Sequence, residues 1–211
     1  PNGFPRDLQA LLLRELGLDE NDVFVIDGPL LDLASAMDLA FVPLPQLRLI
    51  AKEPQVPRRF RGIGDTLGAD PGAMFRVIRE DDVLIEHPRD SFEASTLLFL
   101  AAAARDPKVR SIKQVVYRAG SKSPLIDALV RAVKNGKEVT VLVELKASFD
   151  EVQNCEYANR LQRAGCNVMY GLLGLKVHSK IILVVREEED GLLRSYANVS
   201  TGNCNPKTAK L

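Results

Sequence analysis

The sequence predicts an α/β domain built on a mostly parallel sheet, preceded by a partial α/β segment. Three observations carry this. From Asp81 onward, short β-branched runs alternate with amphipathic helical runs, the pattern of crossover units. Glu138–Leu145 is near-continuously apolar, as in a strand covered on both faces. The junctions carry helix and turn punctuation, such as Ser123-Pro124 at a helix start and Gly136 past its end.

Element by element, Leu8, Leu11, Leu12 and Leu16 mark one face of a first helix. Asp22–Asp27 reads as a strand closed by Gly28-Pro29, and Leu30–Leu39 as a second helix. Phe41–Pro71 is a connector rich in Pro and Arg, irregular by its punctuation, with Arg58, Arg59 and Arg61 expected in solvent. Val83–His87 is a predicted strand. Asp90 with Glu93 makes a capping box for a helix through Ala104. Ser111–Arg118 is a strand, and Ser123 caps a helix that buries Leu125, Ile126, Leu129, Val130 and Val133. After the apolar strand, Asp150 and Gln153 cap a helix ending at Gly165, and Asn167–Tyr170 is a strand. Lys176–Val185 and Leu192–Val199 pair as a hairpin, with the acidic run Glu187–Asp190 in a solvated turn.

With 211 residues and 46% hydrophobic content, the chain can bury a core. Lys plus Arg and Asp plus Glu both number 28, so a polyanion must be held by a local cluster rather than by net charge. No apolar run has membrane-spanning length and no signal peptide is recognisable. Cys155, Cys166 and Cys204 have no zinc spacing, and their odd number fits free thiols in a reducing compartment. Two histidines exclude a His-rich metal site. A start at Pro1 and an end inside a motif-bearing segment suggest part of a longer protein.

His178 and Lys180 are the sharpest chemical signal. On a strand they point to one face, two rises apart. A nucleophilic nitrogen beside a fixed cation suits phosphoryl chemistry. Against this, a lone His in a strand is usually structural, and His-x-Lys recurs by chance. The following loop, Ser200-Thr201-Gly202-Asn203-Cys204-Asn205, adds a flexible turn with an amide at Asn203.

An ordered set of stretches resembles the long-chain polyphosphate kinase family, built from phospholipase-D-like domains. It comprises Asp82-Val83-Leu84, Ser91-Phe92-Glu93, Ile112-Lys113-Gln114 through Tyr117-Arg118, and Asn135–Ala147. It continues with Phe149-Asp150-Glu151, Gly174–Lys180, and Thr201-Gly202-Asn203 through Ala209. The resemblance is strong from Asp81 to Leu211 and weaker over Pro1–Pro45. It implies residues 1–75 as the end of the family's middle domain with a connector, and 76–211 as the first, truncated phospholipase-D-like catalytic domain. It implies reversible transfer of the ATP terminal phosphate to polyphosphate through a phosphohistidine. His178 is then the nucleophile, Lys180 holds a phosphoryl oxygen, Asn203 orients the imidazole or donates to the same oxygens, and Arg118 binds phosphate. Mg2+ accompanies ATP, near Arg118. The implied partners are ATP or ADP and polyphosphate, not nucleic acid, in a homo-oligomeric parent that is cytoplasmic, free or membrane-associated.

Departures from the family pattern are Ser148 in place of an Arg, Asn198 in place of a His, Ser200 in place of a Gly, Cys204 in place of an aromatic, and Arg89 in place of an aromatic. With one His-x-Lys set, two other readings stand beside the kinase: a phosphodiesterase or nuclease completed by dimerisation, and a non-catalytic polyanion-binding remnant. The isolated chain is expected to be inactive in synthesis.

Overall fold

The computed structural model describes residues 3–24, 38–39, 42–47, 52–119, 123–145, 151–171 and 174–210. It forms two compact units, residues 1–51 and 52–211.

In the first unit, α1 (Arg6–Leu16) carries the predicted leucine face. It stops at Gly17, whose φ of 67° lets the Gly17 and Leu18 N–H groups turn back to the Arg14 and Leu13 carbonyls. Asp22, expected in a strand, lies instead in a 3-10 turn, Glu20–Asp22. Two side-chain bonds capture the turn: Asn21 N–H donates to the Asp19 carboxylate at 2.7 Å and Asp19 N–H to the Asp22 carboxylate at 2.9 Å. The rest of that strand beyond Phe24, and all of the second helix but Asp38 and Leu39, lie outside the described residues.

In the second unit the connector is less irregular than its composition suggests. A 3-10 turn (Arg58–Phe60) and a short helix α2 (Ile63–Thr66) place Phe60 and Ile63 in the core. Arg59, expected in solvent, donates to the Val77 carbonyl at 2.9 Å and the Asp81 carbonyl at 3.2 Å. It thereby satisfies carbonyls left open at the end of α3 (Ala73–Glu80).

Val83–His87 is not a strand, although burial alternates along it. The segment has strand patterning but no ladder partner among the described residues. The helix that follows opens with a π turn, Glu93–Leu97, and continues as α4 (Leu98–Arg105). Its cap is Ser91, not Asp90: the Ser91 hydroxyl accepts from Ala94 N–H at 3.1 Å. Asp90 is occupied in closing the preceding turn, accepting from Glu86 N–H at 2.9 Å.

The remaining elements are β1 (Val109–Val116), α5 (Pro124–Lys134), β2 (Glu138–Val143), α6 (Glu151–Ala164), β3 (Asn167–Met169), β4 (Ile181–Glu187) and β5 (Leu193–Val199). They form one sheet in the order β3-β2-β1-β4-β5. The β1–β2 and β2–β3 pairs are parallel; β1–β4 and β4–β5 are antiparallel. Four strands therefore run one way and β4 alone runs against them, which makes the sheet mixed and mostly parallel. Ser123 sits at the start of α5 but makes no side-chain cap; its N–H donates to the Tyr157 hydroxyl at 3.3 Å. The Asp150 cap of α6 lies outside the described residues, and Gln153 bonds to Glu156.

Ile112, Val141, Val143, Ile182 and Val184 are fully buried in the sheet, against Leu125, Ile126 and Leu129 of α5 and Leu161 of α6. Each such side chain contributes about 1.5–3 kcal/mol relative to exposure. The acidic turn is not wholly solvated. Glu188 is 6% exposed, because the buried guanidinium of Arg186 (2.7 Å) and the Tyr196 hydroxyl (2.7 Å) draw it inward. Arg186 also bonds buried Asp106 at 2.8 Å.

Candidate functional site

The strand directions bring the carboxyl ends of β1, β2 and β5 and the entry into β4 to one end of the sheet. Ligands of open α/β sheets bind at the carboxyl ends of strands. Tyr117 and Arg118 follow β1, Glu144 follows β2, His178 and Lys180 precede β4, and the loop 200–205 follows β5.

This end is held shut by Asn154 of α6, which is 1% exposed. Its amide donates to the Tyr117 carbonyl at 2.8 Å and the Glu144 carbonyl at 2.9 Å, so one side chain ties the ends of β1 and β2 together.

The His178 strand begins later than its sequence implies. Residues 175–180 have no ladder, and β4 starts at Ile181. The buried Glu144 carboxylate accepts the Val177 N–H at 2.8 Å and so takes a donor that a longer ladder would need. The result is a loop with His178 exposed and Lys180 buried.

Tyr117, 8% exposed, is the centre of the arrangement. The imidazole of His178 meets its ring edge-on, with centroids 5.3 Å apart. The Lys180 ammonium lies 5.0 Å from the ring centroid, the Arg118 guanidinium 5.4 Å and the Lys176 ammonium 5.8 Å. All three are within the reach of a cation–π contact, about 6 Å. Lys180 also donates to the His178 carbonyl, which ties the two residues of the motif together. Gathering three cations on one ring raises their mutual repulsion, and an anion relieves it. A chain with zero formal net charge thus carries a local cationic seat.

Of the sequence-predicted residues, His178, Lys180 and Arg118 come together around Tyr117. Asn203 makes no hydrogen bond to either His178 or Lys180, and its Oδ1 is buried without a partner among the described residues. Its loop is nevertheless fastened to the site, since Ser200 N–H donates to the Lys180 carbonyl at 3.0 Å. Burial pushes the neighbouring Cys204 thiol up to about 11, with the Lys180 charge pulling the other way. Ser200, a departure from the family pattern, braces the loop: its hydroxyl donates to the Gly202 carbonyl at 2.8 Å and accepts the Gly202 N–H at 3.1 Å. Asn198 donates to Thr96 at 3.4 Å, and Arg89 makes a surface pair with Glu86. Ser148 lies outside the described residues. Sequence reasoning missed Tyr117, Lys176, Glu144 and Asn154 as parts of the site. The aromatic just before Arg118 at a strand end was the available signal.

The donor set fits an anion better than a bare metal ion. Cations dominate it, and Glu144 already accepts a backbone N–H. Among the described residues no group of three or more His, Cys, Asp or Glu side chains could hold a metal ion.

A mixed α/β domain with an exposed imidazole on the rim of a cationic seat has the chemistry to hold an anion beside that imidazole. The comparisons narrow this. Residues 73–211 match the model of polyphosphate kinase C-terminal domain 1. The chain is 44% identical over 219 residues to a polyphosphate kinase of Parasynechococcus marenigrum, covering 100% of this chain and 30% of that protein. It is 45% identical over 208 residues to one of Dictyostelium discoideum, covering 99% of this chain and 19% of that protein. It superposes on the crystal structure of polyphosphate kinase from Porphyromonas gingivalis with a TM-score of 0.64 at 33% identity, covering 87% of this chain and 29% of that one. The chain belongs to the polyphosphate kinase family, and it spans less than a third of the length of these relatives.

Proposed function

We propose that these residues carry the phosphohistidine half of a polyphosphate kinase, which reversibly transfers the terminal phosphate of ATP to polyphosphate. The observation that carries this reading is the exposed His178 imidazole on the rim of the cluster formed by Lys180, Arg118 and Lys176.

In the proposed reaction a neutral nitrogen of His178 attacks the terminal phosphorus of ATP. A P–N bond forms, the P–O bond to ADP breaks, and ADP leaves with the electron pair. A terminal oxygen of polyphosphate then attacks the same phosphorus, and the P–N bond breaks to return the imidazole. Lys180 and Arg118 hold phosphoryl oxygens as charge spreads over them. Asn203 orients the imidazole or donates to the same oxygens once phosphate is bound. Mg2+ arrives with the nucleotide phosphates as part of the substrate, in keeping with a site whose own donors suit an anion.

A complete phosphotransfer site also needs the nucleotide positioned in line with the nucleophile. The 211-residue chain is therefore proposed to bind phosphate anions without making polyphosphate. The test is incubation with Mg2+ and ATP, followed by assay of acid-labile phosphohistidine and of polyphosphate, in this chain and in the polypeptide encoded by the complete gene. His178→Ala should abolish both products in the complete polypeptide. Polyphosphate synthesis by the complete polypeptide that survives His178→Ala would refute the nucleophile. Binding lost in Arg118→Ala or Lys180→Ala, without phosphohistidine in any form of the protein, would favour the non-catalytic remnant.

A further inference from the structure

Glu144 reaches from the end of β2 into the loop that carries His178. It is 4% exposed and is held at three points. Its N–H donates to the Val116 carbonyl at 3.0 Å, its carbonyl accepts from Asn154 at 2.9 Å, and its carboxylate accepts the Val177 N–H at 2.8 Å. Gly171, where the connection from β3 begins, stands beside the same carboxylate oxygen; a Cβ there would lie 3.8 Å from it. A carboxylate acceptor makes a hydrogen bond roughly twice as strong as a neutral one.

The register of β4 shows what this bond prevents. Gln114 pairs with Ile182 and Ile112 with Val184. Carried on in the same register, the ladder would set Lys180 opposite Val116 and His178 opposite Arg118. Strand alternation would then place the imidazole on the face of Ile182 and Val184, which are fully buried against the helices. Tyr117 and Glu144 follow the paired Val116 and Val143, and by the same alternation they fall on the other face. The imidazole nevertheless meets the Tyr117 ring at 5.3 Å, and the Lys176 ammonium lies 5.8 Å from that ring. Val177, between these two residues, is the one whose N–H Glu144 takes. The chain is off the ladder where the carboxylate catches it, and both neighbours of Val177 turn to Tyr117.

On the reading of His178 as the nucleophile, we infer that Glu144 is a positioning residue for phosphoryl transfer. Its carboxylate holds the loop off the β4 ladder and so keeps the imidazole against Tyr117, away from the helix-covered face and open to a phosphorus atom. It acts through Val177 and not on the phosphate, which a carboxylate repels. Without this hold the loop has a second place to go, the extended ladder, and fewer molecules present the imidazole. Such a loss slows the chemical step and spares the grip of Arg118, at the end of β1, on the phosphate.

The polypeptide encoded by the complete gene, with Mg2+ and ATP, tests this. Glu144→Ala should lower the saturating rate of phosphohistidine formation at least ~10-fold and move the half-saturating ATP concentration less than ~3-fold. Glu144→Gln keeps an acceptor at the same reach and should restore most of the rate. Carbethoxylation by diethyl pyrocarbonate, read by mass with His87 as the internal reference, reports where the imidazole is. It should reach His178 at least ~5-fold more slowly in Glu144→Ala than in the wild type. Should Glu144→Ala not fold, amide exchange decides: Val177, outside every strand, should be slowed at least ~10-fold below its unfolded rate in the wild type and quickened in Glu144→Gln. A loss in Glu144→Gln as large as in Glu144→Ala, equal labelling of His178 in wild type and Glu144→Ala, or free exchange at Val177 would overturn the inference. Unchanged labelling with normal His178-dependent synthesis would sink the hold and spare the nucleophile. Synthesis surviving His178→Ala would sink the nucleophile, and with it the catalytic use of a hold that exchange at Val177 still reads.

Discussion

The imidazole of His178 stands edge-on to the ring of Tyr117 at 80°, with centroids 5.3 Å apart. This contact fixes the direction of an otherwise exposed side chain, and the same ring carries Lys180 on its face. Tyr117→Leu removes both supports, while Tyr117→Phe keeps them. An aromatic contact is worth about 0.5–1.5 kcal/mol and a cation–π contact a similar amount. Phosphohistidine formation by the complete polypeptide should fall at least ~10-fold in Tyr117→Leu and stay within ~3-fold in Tyr117→Phe. Equal losses in the two variants would mean that the hydroxyl, not the ring, matters.

Asn154 donates to two carbonyls that directly follow different strands, Tyr117 after β1 and Glu144 after β2. Asn154→Leu is close in size and donates to neither, so both buried hydrogen bonds are lost. Removing one partner of a buried bond costs about 1–3 kcal/mol. Urea unfolding should show a loss of about 2–5 kcal/mol. Exchange at Glu144, whose N–H bonds to the Val116 carbonyl at 3.0 Å, should quicken first.

The sheet and most helices were legible because burial imposes period on them. The β2 run and the apolar face of α5 read directly as covered elements. What failed did so for lack of long-range information. Val83–Ile85 has the alternation of a strand, but pairing depends on a neighbour that local pattern does not name. Glu188 reads as one of four acidic turn residues, and only the arrival of Arg186 and Tyr196 from flanking strands buries it. At the site, His178 and Lys180 stood out because their chemistry is unusual for a strand. Tyr117 did not, because an aromatic at a strand end reads as ordinary core. Glu144 was hidden too, since its role depends on a backbone N–H thirty-three residues away.

The three cysteines should differ sharply in reactivity. All are free thiols; Cys155 is exposed, and burial pushes Cys166 up to about 11 and Cys204 up to about 11. The thiolate is the reactive form, so a buried thiol with a raised pKa reacts slowly. A disulfide reagent near neutral pH should titrate one thiol quickly in the native chain and the other two only on unfolding. Rapid labelling of Cys204 would mean that the loop after β5 opens readily.

The buried cluster at the opposite end of the sheet should make stability depend on pH. Burial raises the Glu188 carboxyl, but hydrogen bonds from Tyr196 and Arg186 outweigh it, and the net direction is down from 4.5. A depressed carboxylate contributes stability that is fully present above its unfolded value and is lost as pH falls through the folded one. The acid limb should therefore begin near 4.5 and continue below it. Tyr196 is pushed up to about 12, first by burial, then by its hydrogen bond to Glu188 and by the Glu188 charge. A raised group contributes stability that is complete below its unfolded value of 10.0 and is lost as pH rises toward about 12. Glu188→Gln should shrink the acid limb and, by removing the anion, lower the Tyr196 titration. It also leaves the buried Arg186 with Asp106 as its remaining short ion pair, a loss of about 3–5 kcal/mol near neutral pH if nothing rearranges. Urea unfolding across pH for both proteins, with tyrosinate absorbance on the alkaline side, measures each change. An acid limb of unchanged size in Glu188→Gln would assign the acid sensitivity to other carboxylates.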